Sequence, residues 1–586
     1  MNVTAAPTTA PTPAATTAYP ARAVAEAEAP LTAGTDRYMH AAAHAVARVA
    51  VQELRGARGA VPGARVLLLV GGGHNGGDAL LAGALLARRG CAVTAAPATT
   101  TDRLHAGALN AARAAGVRLA ADPMGAARAA AGGVSGSADG ADLVIDGLTG
   151  IGATGGLRPA AAGLIAPLCA AGQVGCRPFR VLAVDLPSGV GVDDGTLPGP
   201  VLAADCTVTF TCPKGAHLLP PAATRCGRVE VVDLGLPVPE AAPSARRPTD
   251  AELGRLLRVP GDEDHKYTRG VVGLWAGSRA YPGAAVLAAS AAVRTGAGMV
   301  RVAAPPRVVD LVLARRPEAV PGDGRCQALV IGPGTDPADA PRAAELDAAL
   351  GRVLGEGGEP VAAVIDAGAL PLLAARIGAG LRCTPGQVLT PHAGEAAALL
   401  TALGEQTARE AVAAAPAAAV RRLAEATGAT VLLKTTPTLI AIPGGTLLSV
   451  GSGPGWLATA GSGDVLAGII GALLAADRAD ADNGKAVGGE DAQAEAAARC
   501  AALGVRLHAL AAARAADLVN ADSVPAPGGC RPLARPGHPL AALDLTEAIP
   551  AAWEQLWCAG PHRAAAKRSP VGTSAARPLT GTPHPA

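Results

Sequence analysis

One unit recurs along this chain: a short apolar strand, a glycine-rich loop, then an alanine-rich helix. Residues 65–70 (RVLLLV) read as the strand, Gly71 to Gly77 as the loop and residues 79–89 as the helix. Near-continuous apolar strands alternating with helices predict a parallel sheet covered on both faces. Further strands are expected at 143–146, 181–185, 206–210 and 229–232, and helical patterning from Ala21 to Leu54 with a break around Pro30. The Pro/Ala-rich stretch 237–250 (PVPEAAPSARRPTD) interrupts the series, and a longer one follows. Its strands are expected at 271–276, 300–303, 328–331, 361–365, 388–390, 431–434 and 438–442. Its helices are expected at 284–294, 338–354, 395–403, 410–426, 463–475 and 494–516. The chain therefore reads as two α/β domains, 19–240 and 251–558, joined by a linker at 241–250. The tails 1–18 and 559–586 read as disordered, and 480–493 and 523–536 as surface insertions.

Composition removes several function classes. Half of the 586 residues are hydrophobic but only 2% are aromatic, so the core must be built from Ala, Val, Leu and Ile. A net charge of +2 argues against a dedicated nucleic-acid binder, which needs a basic face. The apolar run 465–476 falls short of the ~20 residues that span a bilayer. The first 20 residues carry no Lys or Arg and no leucine-rich core, unlike a signal peptide. Eleven scattered cysteines without a C-x-x-C pair fit a reducing cytoplasm rather than a disulfide framework. Basic residues are almost all Arg, so the five lysines and five asparagines stand out; Asn75, Lys214, Lys266 and Lys434 lie outside low-complexity stretches.

In the first half, Gly71-Gly72-Gly73-His74-Asn75-Gly76-Gly77-Asp78 leaves a strand and opens a helix. Such glycines let backbone approach a ligand, and a helix N-terminus offers free N–H groups to phosphate. The alternative is a tight turn with no ligand. Asp146 ends another strand ahead of Gly150-Ile151-Gly152-Ala153-Thr154-Gly155-Gly156, and Asp185 ends a third ahead of Ser188. The carboxyl ends of strands line the ligand crevice of a doubly wound sheet. Asn75, Asp146, Asp185 and Ser188 would then converge as oxygen ligands suited to a hard cation. Each Asp taken alone also reads as a cap on its own turn.

HNGGD, D-x-x-x-G-x-G, VDLPSGV, TVTFTCPKGAHL and GRVEVVDLGLP, in that order over nearly all of residues 20–237, resemble the YjeF N-terminal family of NAD(P)HX epimerases. NAD(P)HX is hydrated NAD(P)H. The resemblance implies a Rossmann-like fold with a potassium ion touched by Asn75, Asp146 and Ser188. It implies that His74, Asn75, Gly76, Gly77, Asp78, Gly150, Ile151, Gly152, Ala153, Thr154, Gly155, Gly156 and Asp185 contact the hydrated nucleotide. His74 stands where Asn is usual, and Ala79 where Gly is usual. Asp185 is the candidate for proton transfer at C6 during ring opening and reclosure.

In the second half, Ala460-Gly461-Ser462-Gly463-Asp464 opens an apolar helix. Its N-terminus forms an anion hole for a transferring phosphoryl group, and Asp464 is placed to take a proton from an attacking hydroxyl. Alone, Asp464 reads equally as a favourable charge on the helix dipole. His392, taken alone, reads equally as a hydrogen-bonded structural histidine. GSGD, the PHAGE motif after a strand, Lys434-Thr435-Thr436-Pro437-Thr438 after another, GPG at Gly332–Gly334, and His265-Lys266-Tyr267 resemble the YjeF C-terminal family. Those are ADP- or ATP-dependent NAD(P)HX dehydratases with a ribokinase-like α/β fold. The likeness covers roughly 260–515, with a weaker echo to about 555. It implies that Ala284, Gly334, His392 and Asp464 contact NAD(P)HX, and that Lys434, Thr435, Thr436, Pro437, Thr438 and Gly463 contact the adenine nucleotide with Mg²⁺.

The two resemblances together imply one repair enzyme. It would exchange (R)- and (S)-NAD(P)HX and dehydrate the (S) form through phosphorylation of its C6 hydroxyl. They imply a homo-oligomer acting on small molecules; the charge, the short apolar runs and the cysteines add the expectation of a cytoplasmic protein with no nucleic-acid or membrane partner. Bacterial members tend to use ADP; the sequence itself does not distinguish the donors. Two other readings stand beside it: a ribokinase-like kinase of a small alcohol, and a first domain that binds nucleotide without catalysis.

Overall fold

The computed structural model describes residues 16–132, 140–172, 177–484, 490–517 and 537–560. The first sheet has seven strands, all parallel, in the order Arg118–Leu119, Ala92–Pro97, Arg65–Val70, Leu143–Gly147, Arg180–Val184, Cys206–Phe210, Arg228–Val232. Side chains alternate across a strand. Val66, Leu68 and Val70 therefore enter a core with Val46, Leu54 and Leu80 from the helices Arg37–Arg58 and His74–Ala87. Leu67 and Leu69 enter the opposite core, with Leu164, Ile165 and Leu168 from the helix Pro159–Ala170. Burial on both faces is why the strand reads as an unbroken apolar run.

The second sheet has eleven strands. From Val320–Pro321, Met299–Val302 and Val271–Trp275 it runs through Ala328–Ile331, Ala362–Ile365, Gln387–Leu389 and Thr430–Leu433, all parallel. Thr438–Ala441 and Leu447–Val450 continue it antiparallel. Its inner helices, Gly283–Thr295 and Ser462–Asp482, pack almost backbone to backbone: a Cβ placed on Gly468 would lie 2.3 Å from the Ala288 carbonyl oxygen. Small residues at such a contact let a chain poor in aromatics reach interior density.

The structure departs from the sequence reading at several points. The stretch read as a loop through Gly77 becomes helical at His74, so His74 to Asp78 form the first turns of the helix His74–Ala87. Gly76 permits this, because a Cβ there would sit 2.0 Å from the Gly71 carbonyl oxygen. Pro30 lies inside the helix Ala21–Thr32; the break comes after it, before Arg37. Pro416 divides the helix expected over 410–426 into Arg409–Ala414 and Pro416–Thr427. The strand Ala92–Pro97 was not anticipated, since its Ala and Thr residues lack the apolar run of its neighbours.

The residues read as tail and linker also differ. Thr17–Ala18 pairs antiparallel with Ala245–Arg246, which lies parallel to Leu447–Val450, so both extend the edge of the second sheet. Ala18 and Ala245 are fully buried there, their small side chains matching a crowded sheet edge. Residues 1–15, 518–536 and 561–586 lie outside the described residues, as do 485–489 of the expected insertion at 480–493, whose flanks belong to the helices Ser462–Asp482 and Glu490–Ala515. Ala492–Ala515 is long and apolar enough to cross a membrane by length and composition, but 72% of that apolar window is buried inside the protein.

Gly71 marks a point where the first site is fixed by close approach. Any Cβ there would lie 1.9 Å from the Leu148 carbonyl oxygen. Gly71→Ala is expected to destabilise the first domain by about 1–3 kcal/mol, as overpacking does. Calorimetric melting tests this, and an unchanged transition would count against it.

Candidate active sites

The carboxyl ends of the first sheet's strands open into a cleft of 1140 Å³. His74, Asn75, Asp78, Asp185 and the whole run Gly150 to Gly156 line it. Gly76 and Gly77 are buried in the helix below and do not. Asp146 and Ser188 are also buried, 0% and 1% exposed, away from the lining.

Asp146, Ser188 and Asn75 nevertheless meet around Thr149. Ser188 donates its hydroxyl to Asp146 Oδ1 at 2.7 Å and its N–H to Oδ2 at 2.9 Å. The Leu148 N–H donates to Oδ1 at 3.2 Å, and the Thr149 N–H to Ser188 Oγ at 3.0 Å. Asn75 Nδ2 donates to the Thr149 and Val184 carbonyls, 2.7 Å each. Burial pushes the Asp146 carboxyl up, against the Ser188 and Leu148 hydrogen bonds that favour its charge. No Lys or Arg pairs with Asp146 among the described residues. A buried carboxylate amid neutral oxygens, with no His or Cys, is a donor set that fits one hard monovalent cation. The described residues hold no group of three His, Cys, Asp or Glu suited to a metal ion.

Asp185 follows the strand Arg180–Val184 in left-handed backbone, φ 64°. Its Oδ1 accepts from Lys214 Nζ at 2.8 Å and Thr209 Oγ1 at 2.9 Å. Burial pushes this carboxyl up, but the Lys214 ammonium and its hydrogen bond outweigh it, so Asp185 sits below the usual carboxylate range. Lys214 is itself buried, and also donates to Thr209 Oγ1 and the Phe210 carbonyl. Behind the pair, burial takes His217 down to about 4, so its ring is neutral. His217 Nδ1 accepts from the Lys214 N–H at 2.9 Å, which leaves Nε2–H to donate to the Asp185 carbonyl at 2.8 Å. His217 thus clamps both partners. The sequence reading passed over it; its signal was its place three residues after Lys214.

The second site gathers at the carboxyl ends of the second sheet. Asp464 lies in the first turn of the helix Ser462–Asp482, whose N-cap Gly461 takes φ 87°. Burial, then the Asp366 charge, pushes its carboxyl up to about 6, against the pull of Lys434. Lys434 Nζ lies 3.0 Å from Asp366 Oδ1 and 3.6 Å from Glu395 Oε2. Burial pulls this ammonium down, but the two carboxylates outweigh it and hold it charged. A Cβ on Gly463 would fall 3.8 Å from Lys434 Nζ, so the glycine leaves open space beside the ammonium.

His392 caps the helix Ala393–Ala402. Its Nδ1 accepts from the Gly394 and Glu395 N–H groups while the His392 backbone N–H donates to Glu395 Oε2. The ring is otherwise exposed, with Nε2 3.6 Å from Glu395 Oε1. Thr435 and Thr438 spend their hydroxyls on the local turn, donating to the Pro437 and Thr435 carbonyls, around the cis Thr436–Pro437 bond. Ser462 donates its hydroxyl to the Leu457 carbonyl. Gly334, φ 63°, meets Ala284 so closely that a Cβ would come within 2.2 Å of the Ala284 Cβ. Asp366 was missed as a site residue; it ends the strand Ala362–Ile365 as Asp146 and Asp185 end theirs, and that shared position was the signal.

The fold and these two sites define a two-domain α/β enzyme. Residues 35–216 match the family profile described as YjeF-related protein N-terminus, and 272–524 the profile described as NAD(P)H-hydrate dehydratase. A bifunctional NAD(P)H-hydrate repair enzyme of Mycobacterium leprae is 42% identical over 466 residues, 78% of this chain and 89% of its own length. An NAD(P)H-hydrate epimerase of Clavibacter sepedonicus is 42% identical over 39% of this chain and 94% of its own. A Bacillus subtilis structure described as an ADP/ATP-dependent NAD(P)H-hydrate dehydratase co-crystallised with ATP/Mg²⁺ covers 53% of this chain and 97% of its own at 25% identity, with a TM-score of 0.39. The chain belongs to the family of bifunctional NAD(P)H-hydrate repair enzymes.

Proposed function

We propose that this enzyme repairs hydrated NADH and NADPH at two sites: the first exchanges the C6 epimers, and the second returns the (S) epimer to NAD(P)H. The observation that carries the reading is the Asp464 carboxyl, raised to about 6 at a glycine-bounded helix N-terminus beside a charged Lys434. A base near neutrality is what removal of a hydroxyl proton at physiological pH requires.

In the second domain Asp464 takes the proton of the C6 hydroxyl, and that oxygen attacks the terminal phosphorus of ADP or ATP, delivered as its Mg²⁺ complex. Lys434 stabilises the charge of the transferring group, and Gly463 gives phosphate oxygens access to it. The phosphate then leaves C6 as a C5 proton is lost, restoring the ring double bond. Lys434 to Thr438 form the nucleotide side of the site; Ala284, Gly334 and His392 form the NAD(P)HX side.

In the first domain Asp185, kept ionised by Lys214, takes the C6 hydroxyl proton while the helix start at His74–Asp78 and the loop Gly150–Gly156 hold the nucleotide. Potassium held by Asn75, Asp146 and Ser188 would supply the countercharge that Asp146 lacks and stiffen the turn at Thr149. The nine described cysteines are free, which supports the cytoplasmic reading.

The test uses the purified chain, (S)-NADHX, Mg²⁺ and either ADP or ATP, following return of NADH absorbance. Donor-dependent return with free phosphate is expected. Phosphate found attached to a product would indicate an ordinary kinase, and no return with either donor, from folded protein, would sink the dehydratase. Conversion of (R)-NADHX in the same assay, faster in potassium than in lithium chloride, is expected of the first domain.

A further inference from the structure

The epimerisation read into the first site needs a second proton carrier. C6 of NAD(P)HX is a hemiaminal carbon, bonded to the ring nitrogen N1 and to the hydroxyl. Opening the ring breaks the C6–N1 bond, and an amide-like nitrogen is a poor leaving group unless it is protonated as it departs. Asp185 is committed as an ionised group, with the buried ammonium of Lys214 against it, and has no proton to give.

We infer that Asp78 is the acid: its carboxyl, lining the same cleft as the base Asp185, delivers the proton to N1 as the ring opens and takes it back as the ring closes. This rests on the reading of the first site as an epimerase. Asp78 lines the cleft yet is only 7% exposed. It makes no hydrogen bond or ion pair among the described residues, and its Oδ1 is buried with no partner at all. The two buried strand-end carboxylates beside it are both satisfied: Asp146 by Ser188 and Leu148, Asp185 by Lys214 and Thr209. A buried carboxyl left without a protein partner is expensive unless a ligand completes it. Its backbone position three residues after Asn75 on the same helix is fixed by the close-packed glycines Gly76 and Gly77. Burial and the neighbouring Asp185 charge both favour the protonated form.

The step balances without any co-reactant. Asp185 removes the hydroxyl proton, the O–H pair becomes the C6=O bond, the C6–N1 pair goes to nitrogen, and nitrogen takes the Asp78 proton. Rotation about C5–C6 turns the other face of the aldehyde to nitrogen. Closure then returns one proton to Asp78 and one from Asp185 to oxygen, leaving the opposite epimer.

Asp78→Asn keeps the shape and removes the transferable proton. Exchange of (R)- into (S)-NADHX, read by NMR or chromatography, is expected to slow at least ~100-fold, the low end for general acid catalysis, with KM within ~threefold of wild type. The dehydratase rate on (S)-NADHX, from the second site of the same chain, reports intact folding and is expected to be unchanged. Asp78→Ser should lose exchange equally. Wild-type exchange in Asp78→Asn, or a raised KM with kcat intact, would overturn the inference while leaving the epimerase reading standing. Absence of exchange in the wild type itself would remove both.

Discussion

Asp464→Asn is expected to abolish the donor-dependent return of NADH from (S)-NADHX, by about 10²–10⁴-fold in kcat, the range that a positioned general base contributes. The amide keeps the shape of the helix N-terminus and its hydrogen-bonding capacity but cannot accept the hydroxyl proton. Exchange of (R)- and (S)-NADHX in the same protein should continue, since the first cleft is built from other strands. The wild-type rate should carry the same signature: with the carboxyl at about 6, dehydration should fall as pH drops through that value and level off above it. The stability sign is opposite to that of a salt-bridged carboxylate. A folded value above the unfolded one means the folded state holds its proton longer, so this group's contribution declines as pH rises from the ordinary carboxylate range to about 6. Asp464→Asn should accordingly melt no lower than wild type at neutral pH. A variant that retains dehydratase activity, or melts far below wild type, would remove Asp464 from the role of base.

Sheet architecture was legible in the sequence because burial on both faces writes itself as apolar runs. The strands Arg65–Val70, Cys206–Phe210 and Ala328–Ile331 fall where those runs placed them. Elements lacking that signal escaped. Ala92–Pro97 is a central strand of Ala and Thr, and Thr17–Ala18 and Ala245–Arg246 are edge strands too short for any periodicity. Their partners lie more than 200 residues away, and no local pattern reports a pairing of that range. The sites divide the same way. Residues that terminate strands or open helices were readable from position: Asn75, Asp146, Asp185, Asp464. Their charge state was not, because it depends on what a strand from elsewhere delivers. Asp185 and Asp78 are both carboxylates near glycines in the sequence; only the structure gives one a lysine and the other no partner. Asp366 and Asp464 likewise become distinct only in the fold: Asp366 takes Lys434 as its ion-pair partner, while burial pushes the Asp464 carboxyl up to about 6.

Lys214→Met should be the most damaging single change in the first domain. The ammonium is 3% exposed and its partner carboxylate 7%, so removing it leaves an uncompensated buried charge. Breaking a buried pair from one side costs about 3–5 kcal/mol, a large part of a domain's net stability. Epimer exchange should be lost as well, because Asp185, freed from Lys214, is left with the burial that pushes its carboxyl up and becomes a protonated acid where a base is needed. The pH dependence separates this from general damage. In the wild type, the depressed Asp185 carboxyl contributes stability that is present above the unfolded carboxylate value and lost as pH falls through the folded one. In Lys214→Met the sign reverses, so the gap in melting temperature between the two proteins should be widest near neutral pH and narrow on acidification. Asp185→Asn combined with Lys214→Met removes both charges and should recover most of the melting temperature while leaving exchange absent. If the double variant melts as low as Lys214→Met, the loss lies in packing, including the Lys214 contacts to Thr209 and Phe210, rather than in the orphaned charge.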